Sequence, residues 1–159
     1  MGERNCLVAF YSRTGTTRKV AEQIAQALGC ATEELTDAKG RAGVLGFIKG
    51  GLDAFRKKLT RIGQVANDPG ACALVVIGTP IWAGSMTPAV RTYITEQKDR
   101  LPRVAFFLTT GGSGIERTFR HMEELCGKPP EATLGLRQKE VLKGDPGAAV
   151  RAFVEKLQA

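Results

Sequence analysis

The sequence lacks any apolar run long enough to cross a membrane and any N-terminal segment typical of a secretory signal. A transmembrane helix needs roughly 20 consecutive apolar residues. Cysteine is also scarce: there are four, at positions far apart, without a Cys-x-x-Cys pair and with a single histidine in the chain. Such a set rarely forms a zinc or iron–sulfur site. These absences predict a soluble, cytoplasmic protein without a metal, in which the cysteines are reduced: Cys6, Cys30, Cys72 and Cys126.

Acidic residues are fewer than basic ones, and most of the difference lies in one segment. The chain of 159 residues has 23 Lys and Arg against 16 Asp and Glu, a net charge of +7, and the segment 38–66 alone carries +6. The commonest reason for such a cluster is a solvated helix face. A functional hypothesis is that the cluster attracts an acidic protein, a nucleotide phosphate or an anionic membrane surface. Nucleic acid is a weak candidate, because aromatic residues that could stack on bases are few in this segment.

Apolar runs and helical patterns alternate five times along the chain. Leu7–Tyr11, Ala71–Ile77 and Val104–Leu108 are continuous apolar runs, typical of strands buried on both faces of a sheet. Ala31–Leu35 and Ala132–Leu142 are more polar strand candidates that suit sheet edges. The alternation predicts one α/β domain over the whole chain: a three-layer sandwich around a five-stranded parallel sheet in the order 2-1-3-4-5.

The first strand ends in a group of hydroxyl residues directly before a helical pattern. Ser12, Thr14, Thr16 and Thr17 surround Gly15, which lets the backbone approach a ligand closely. One such residue would be an ordinary helix N-cap, but four in six positions exceed what a cap requires. The first amides of a helix lack intrahelical acceptors and attract anions. The loop therefore predicts a phosphate site.

Two further loops follow the third and fourth strands. One runs from Thr79 to Thr87 and contains the only tryptophan, and the other, Thr109–Ser113, is rich in hydroxyls and glycine. In open parallel sheets, ligands bind beyond the carboxyl ends of the strands, near the point where the strand order reverses. All three loops are expected at that edge, so they are expected to form one site.

In these loops the chain resembles the flavodoxin-like family of FMN-binding proteins, and the resemblance covers nearly the whole sequence. Ser12–Thr17 is similar to the family's Ser/Thr-x-Thr-Gly-x-Thr phosphate loop. Gly78–Gly84 resembles its first flavin-ring loop and Thr109–Ser113 its second. The resemblance implies a flavodoxin-like fold and FMN as the cofactor.

The resemblance also implies roles for individual residues. The hydroxyls of the first loop would bind the FMN phosphate, Trp82 would stack on the isoalloxazine, and the backbone of Ala83 and Gly84 would lie near its N5 edge. No residue is expected to be catalytic itself, because the chemistry belongs to the flavin. The expected cofactor-binding residues are Ser12, Arg13, Thr14, Gly15, Thr16, Thr17, Thr79, Pro80, Ile81, Trp82, Ala83, Gly84, Thr110, Gly111, Gly112 and Ser113.

The expected function is electron transfer or oxidoreduction by an FMN-binding flavoprotein. Its partner would be a redox protein or a small acceptor such as a quinone. The loop Thr109–Ser113 lacks the aromatic residue that many flavodoxins have there. The gap left by that aromatic residue is either open or filled by the glycine-rich segment 38–66 or by another subunit. An open flavin face favours an alternative, an NAD(P)H-dependent quinone reductase. A flavodoxin-fold interaction module without FMN is a further alternative, which the complete hydroxyl set and Trp82 disfavour.

Overall fold

The computed structural model describes residues 5–38 and 43–158. Lys39 and Arg41, which belong to the basic segment 38–66, lie outside the described residues. Within the described part, no helix is long and apolar enough to cross a membrane.

A parallel sheet forms the centre of the molecule. The described strands are β1 Cys6–Phe10, β2 Ala31–Glu34, β3 Leu74–Trp82, β4 Ser85–Met86, β5 Arg103–Thr110 and β6 Thr133–Arg137. The main sheet has the order β2-β1-β3-β5-β6, with all neighbours parallel, and β4 pairs antiparallel with the end of β3. The predicted order 2-1-3-4-5 is therefore confirmed, since β5 and β6 are the fourth and fifth strands of the main sheet.

Helices cover both faces of this sheet. They are α1 Thr16–Leu28, α2 Gly43–Phe55, α3 Pro88–Gln97, α4 Ile115–Cys126, α5 Gln138–Leu142 and α6 Gly147–Gln158. Residues of α1 and α6 share one hydrophobic core with one face of the sheet, and residues of α3 and α4 share the other core with the opposite face. The three-layer sandwich follows from this division.

Successive side chains of β1 point to opposite faces of the sheet, which explains why the sheet has a core on each side. Val8 and Phe10 point into the core beneath α1 and α6, whereas Leu7 and Ala9 point into the core beneath α3 and α4. All four are buried. A strand whose two faces are both covered reads as a continuous apolar run, which is how β1 could be predicted.

Two strands differ from the prediction by several residues, whereas the bounds of the others shift by one or two. β3 begins at Leu74 and not at Ala71. β3 continues past Ile77 as far as Trp82, because its later residues pair with both β5 and β4. The region Ala132–Leu142 is not one strand: it divides into β6 and the short helix α5. The carboxylate of Glu140 accepts a hydrogen bond from the backbone N–H of Arg137 at 3.3 Å, and such a bond stabilises the start of a helix.

The prediction that all four cysteines are reduced is wrong for two of them. Cys6 and Cys30 form a disulfide, with 5.2 Å between their Cα atoms. Helix α1 runs back along the sheet, so Cys30 arrives beside the start of β1. Residues 24 apart in sequence thereby become neighbours, which their spacing alone does not reveal. Cys72 and Cys126 are free thiols, and burial raises the pKa of Cys126 to about 12.

Candidate cofactor site

The loops after β1, β3 and β5 surround one cavity at the carboxyl edge of the sheet. Its volume is about 490 Å³, within the range of roughly 300–1,000 Å³ that is typical of small-molecule sites. The lining residues are Ser12, Arg13, Thr14, Thr16, Thr17, Pro80, Ile81, Trp82, Ala83, Gly84, Thr109, Thr110, Gly111, Gly112, Ser113 and Gln138.

The first loop is held in shape by Ser12. Its Oγ accepts hydrogen bonds from the backbone N–H groups of Gly15, at 3.0 Å, and Arg18, at 3.2 Å. Gly15 has φ 100°, a left-handed conformation that favours glycine, and α1 begins directly after it. The first two backbone N–H groups of α1 belong to Thr16 and Thr17, which line the cavity, and they have no intrahelical acceptor. This arrangement suits an anion.

The hydroxyl side chains of this loop differ in what they do. Thr14 is exposed and lines the cavity. Thr17 is only 2% exposed, and its Oγ1 lies 2.8 Å from Oγ1 of Thr109, a hydrogen bond that joins the first loop to the end of β5. Ser12 already accepts two bonds from its own loop. Thr14 is therefore the hydroxyl most available to a ligand, while Thr17 connects two walls of the cavity.

The cations beside the loop are mostly turned away from the cavity. Arg18 forms an ion pair with Glu34 at the end of β2, and Nζ of Lys19 donates to the carbonyl oxygen of Val141 at 2.9 Å. Arg13, by contrast, lines the cavity. Arg13 is thus the only cationic side chain among the described residues that line the cavity.

Trp82 ends β3 and is fixed from two directions. The ring of Tyr11 meets the indole edge-on, with the centroids 5.5 Å apart. On α2, a Cβ added at Gly50 would lie 2.6 Å from Cζ3 of the indole, so this helix packs directly against the ring at a residue without a side chain. The indole that lines the cavity therefore has a defined position before any ligand arrives.

Ala83 and Gly84 make the two-residue turn between β3 and β4. Their φ values are 49° and 75°, and Trp82 pairs with Ser85 across the turn. Positive φ at both positions is the property of a type I′ hairpin turn. Alanine rarely adopts this conformation, which costs roughly 1–2 kcal/mol for a residue with a side chain. A Cβ at Gly114 would lie 3.4 Å from Cα of Gly84, so the second and third loops touch.

The structure brings together fourteen of the sixteen residues that the sequence indicated, and their roles toward a cofactor stay predictions. Gly15 and Thr79 are not among the lining residues. Thr79 is fully buried, and its hydroxyl accepts from the backbone N–H of Thr87 at 3.2 Å. Two lining residues are absent from the expected set: Thr109, which the sequence analysis named only as the start of the third loop, and Gln138, which it did not indicate. Thr109 lies at the carboxyl end of β5, where the rule that located the three loops applies, whereas Gln138 falls inside the predicted strand Ala132–Leu142, so that rule did not reach it.

Comparisons with known proteins agree with this architecture. No family model matches the sequence, and no curated protein matches it. Among solved structures, a Lactobacillus acidophilus flavoprotein in complex with FMN is 25% identical, with a TM-score of 0.70 over 88% of this chain and 97% of that one. Two-electron reduced Megasphaera elsdenii flavodoxin is 15% identical, with a TM-score of 0.61 over 96% and 98% of the two chains. The fold is that of flavodoxins, as the resemblance implied.

Proposed function

We propose that this protein binds FMN non-covalently in the cavity at the carboxyl edge and uses it to transfer electrons. The observation that carries the proposal is the convergence of three chemically distinct loops on one cavity of about 490 Å³. Hydroxyls and helix amides stand at one end, and an aromatic ring and glycines at the other. A structurally similar flavoprotein contains FMN.

The donor set fits the phosphate of FMN. Ser12 holds the loop in a shape in which the first amides of α1, the hydroxyl of Thr14 and the guanidinium of Arg13 can bind a dianion. A phosphate would also be stabilised by the dipole of α1, whose first turn contains no acidic residue.

The remaining walls fit a flat aromatic ring. Trp82 would contribute a stacking surface and exclude water from it, while the turn at Ala83 and Gly84 would present backbone groups to the ring edge. FMN supplies the redox chemistry when it is bound, accepting and donating electrons. The chain's part is to orient the ring, limit access of water and surround the ring with polar groups that shift its potential.

A second candidate, an NAD(P)H-dependent quinone reductase, is favoured by one specific observation. Among the described residues that line the cavity, Trp82 is the only aromatic. The third loop contributes threonine, glycine and serine instead. A flavin with one uncovered face can be approached by a nicotinamide or a quinone, as a reductase requires.

The first experiment tests the cofactor. We expect the purified protein to be yellow, or the apoprotein to take up FMN with quenching of flavin fluorescence and a stoichiometry of one. Trp82→Leu should change the reduction potential of bound FMN more than it changes phosphate affinity. A colourless protein that shows no FMN binding in titration calorimetry would mean that the fold here serves as an interaction module.

The second experiment distinguishes a carrier from an enzyme. FMN-loaded protein is mixed with NADH or NADPH, with and without a soluble quinone, and oxidation of the nicotinamide is followed at 340 nm. Steady turnover that depends on the quinone supports the reductase. Flavin that stays oxidised under anaerobic conditions with either nicotinamide, yet is reduced by dithionite, supports a carrier that needs a protein partner.

A further inference from the structure

A second cavity lies beside α5 and adjoins the candidate cofactor site. Its volume is about 350 Å³, and it is lined by Gly111, Arg137, Gln138, Lys139, Leu142 and Lys143. Gly111 and Gln138 line both cavities. The second cavity is thus an extension of the first, on the side of the molecule where α1 and α5 meet: Lys19 of α1 donates to Val141 of α5.

The charge of this second cavity is entirely positive. Arg137, Lys139 and Lys143 line it, and no carboxylate is among the described lining residues. The nearest acid along α5 is Glu140, whose carboxylate accepts from the backbone N–H of Arg137. Three cations around one small cavity repel each other, which a bound anion would relieve.

The lining also has an apolar component that an inorganic anion would not need. Leu142 is 57% exposed, one of the few large apolar side chains in this state on the described surface. It stands among cations whose stems are also apolar, and the planar guanidinium of Arg137 can stack on a flat ring. A ligand with both a phosphate and a nucleoside would cover Leu142 and pair with the cations at once.

We propose that the cavity beside α5 is a second phosphate subsite, which binds the phosphate of a nucleotide while the flavin ring occupies the main cavity. The inference rests on the proposed function, because it assigns the neighbouring cavity to flavin. Two sources share this chemistry. One is the adenylate part of FAD, covalently joined to the flavin, and the other is a separate nucleotide such as NADPH.

The first measurement compares the two sources. Apoprotein is titrated with FMN and with FAD, and FMN-loaded protein is titrated with ADP and 2′,5′-ADP, all by calorimetry at two salt concentrations. Tighter binding of FAD than of FMN assigns the subsite to a dinucleotide cofactor. Saturable binding of either adenosine probe to FMN-loaded protein assigns it to a separate nucleotide. In both cases affinity should fall as salt rises.

The second measurement uses charge reversal. Lys139→Glu combined with Lys143→Glu should weaken the favoured nucleotide at least tenfold and change FMN affinity less than threefold. The matched control is Arg151→Glu combined with Lys156→Glu, which makes the same change in net charge at exposed positions of α6. The control should change nucleotide affinity less than threefold, and circular dichroism shows whether each variant is folded.

The outcomes separate the two proposals. If FMN binds but FAD is no tighter and neither adenosine probe binds, the subsite proposal is overturned and the proposed function stands. Equal weakening by the α5 and α6 variants also overturns it, because the effect is then one of net charge. If no flavin binds, the proposed function fails, and ADP and 2′,5′-ADP are titrated into apoprotein: saturable binding of either probe then supports a nucleotide phosphate subsite, and no binding of either overturns it.

Discussion

The two edges of the sheet are built differently. At the carboxyl edge, the loops are glycine and hydroxyl residues that surround a cavity, with left-handed backbone at Gly15, Ala83 and Gly84. At the amino edge, a disulfide joins Cys6 to Cys30. The same strands connect the two edges, so the difference lies in what each set of loops contributes.

Two ion pairs also join separate chain segments at the amino edge. Nη2 of Arg100 lies 2.6 Å from Oδ2 of Asp68, and Nε of Arg103 lies 2.8 Å from Oε1 of Glu131. Both pairs are exposed and contribute little individually. The disulfide contributes more, because a cross-link that closes a loop of this length adds about 3.5 kcal/mol to the free energy of unfolding by restricting the unfolded chain.

At the carboxyl edge, polar groups line a cavity and the backbone is left-handed at Ala83. Strain is stored where a functional geometry is needed and is tolerated because the rest of the structure holds it. Removing the disulfide at the amino edge should therefore change folding stability and leave binding unchanged, whereas removing a hydroxyl that faces the cavity at the carboxyl edge should change binding.

The largest expected effect is loss of the disulfide. Cys6→Ser combined with Cys30→Ser should lower the free energy of unfolding by about 3.5 kcal/mol, or roughly 7–14 °C in Tm for a domain of this size. FMN affinity should change less than twofold. Urea unfolding and thermal scans measure the first quantity, and flavin fluorescence measures the second.

Cys72→Ser is the matched control for the disulfide, because Cys72 is a free thiol that lines a cavity at the amino edge together with Cys6 and Cys30. It should leave Tm unchanged. Thiol titration of the unfolded, unreduced protein should find two free thiols per chain. Four thiols under those conditions would show that the disulfide is absent. Equal Tm values for the double variant and the wild type would show that it does not stabilise the protein.

Thr14→Ala should have the next largest effect, on binding alone. The proposed hydrogen bond from Thr14 to the FMN phosphate would be worth about 1.5–3 kcal/mol, so the FMN dissociation constant should rise roughly 10- to 150-fold. Thr17→Ala is the instructive contrast: its hydroxyl bonds Thr109 in the interior, so apoprotein stability should fall by about 1 kcal/mol. Loss of stability without loss of affinity in Thr14→Ala would contradict the division between the edges.

Gly50→Ala tests the position of Trp82. The new Cβ would stand 2.6 Å from the indole, so the ring must move, and we expect FMN affinity to fall about tenfold, equivalent to about 1.4 kcal/mol. Gly51→Ala is the control on the same helix, since nothing lies within 4 Å of its added Cβ. An unchanged near-ultraviolet circular dichroism signal of the indole in Gly50→Ala would show that α2 does not hold the ring.

Ala83→Gly should have the smallest effect, and in the stabilising direction. Removing the side chain relieves the left-handed conformation at φ 49°, and the net gain in unfolding free energy should be about 0.5 kcal/mol after the added freedom of the unfolded chain is subtracted. Gly84→Ala, at φ 75°, should act oppositely. A decrease in stability for Ala83→Gly would contradict strain at this turn.

Much of the fold and site could be predicted because burial and loop chemistry are local properties of the sequence. β1 reads as an apolar run since both of its faces are covered, and the hydroxyls around Gly15 stand where a strand meets a helix. Gln138 was missed because the pattern around it reads equally well as a strand. Glu140 favours the helix through its bond with the backbone N–H of Arg137, and Val141 through its burial, which depends on core residues far away in sequence.

The sequence by itself determined the alternation of strands and helices, the order of the sheet and the chemistry of the three loops. Only the tertiary structure decided which residues meet: Cys6 with Cys30, Thr17 with Thr109, and Trp82 with Gly50. A local pattern states whether a side chain will be buried. The pattern does not show which residue that side chain contacts, because the contact depends on where a helix many residues long returns the chain to the sheet.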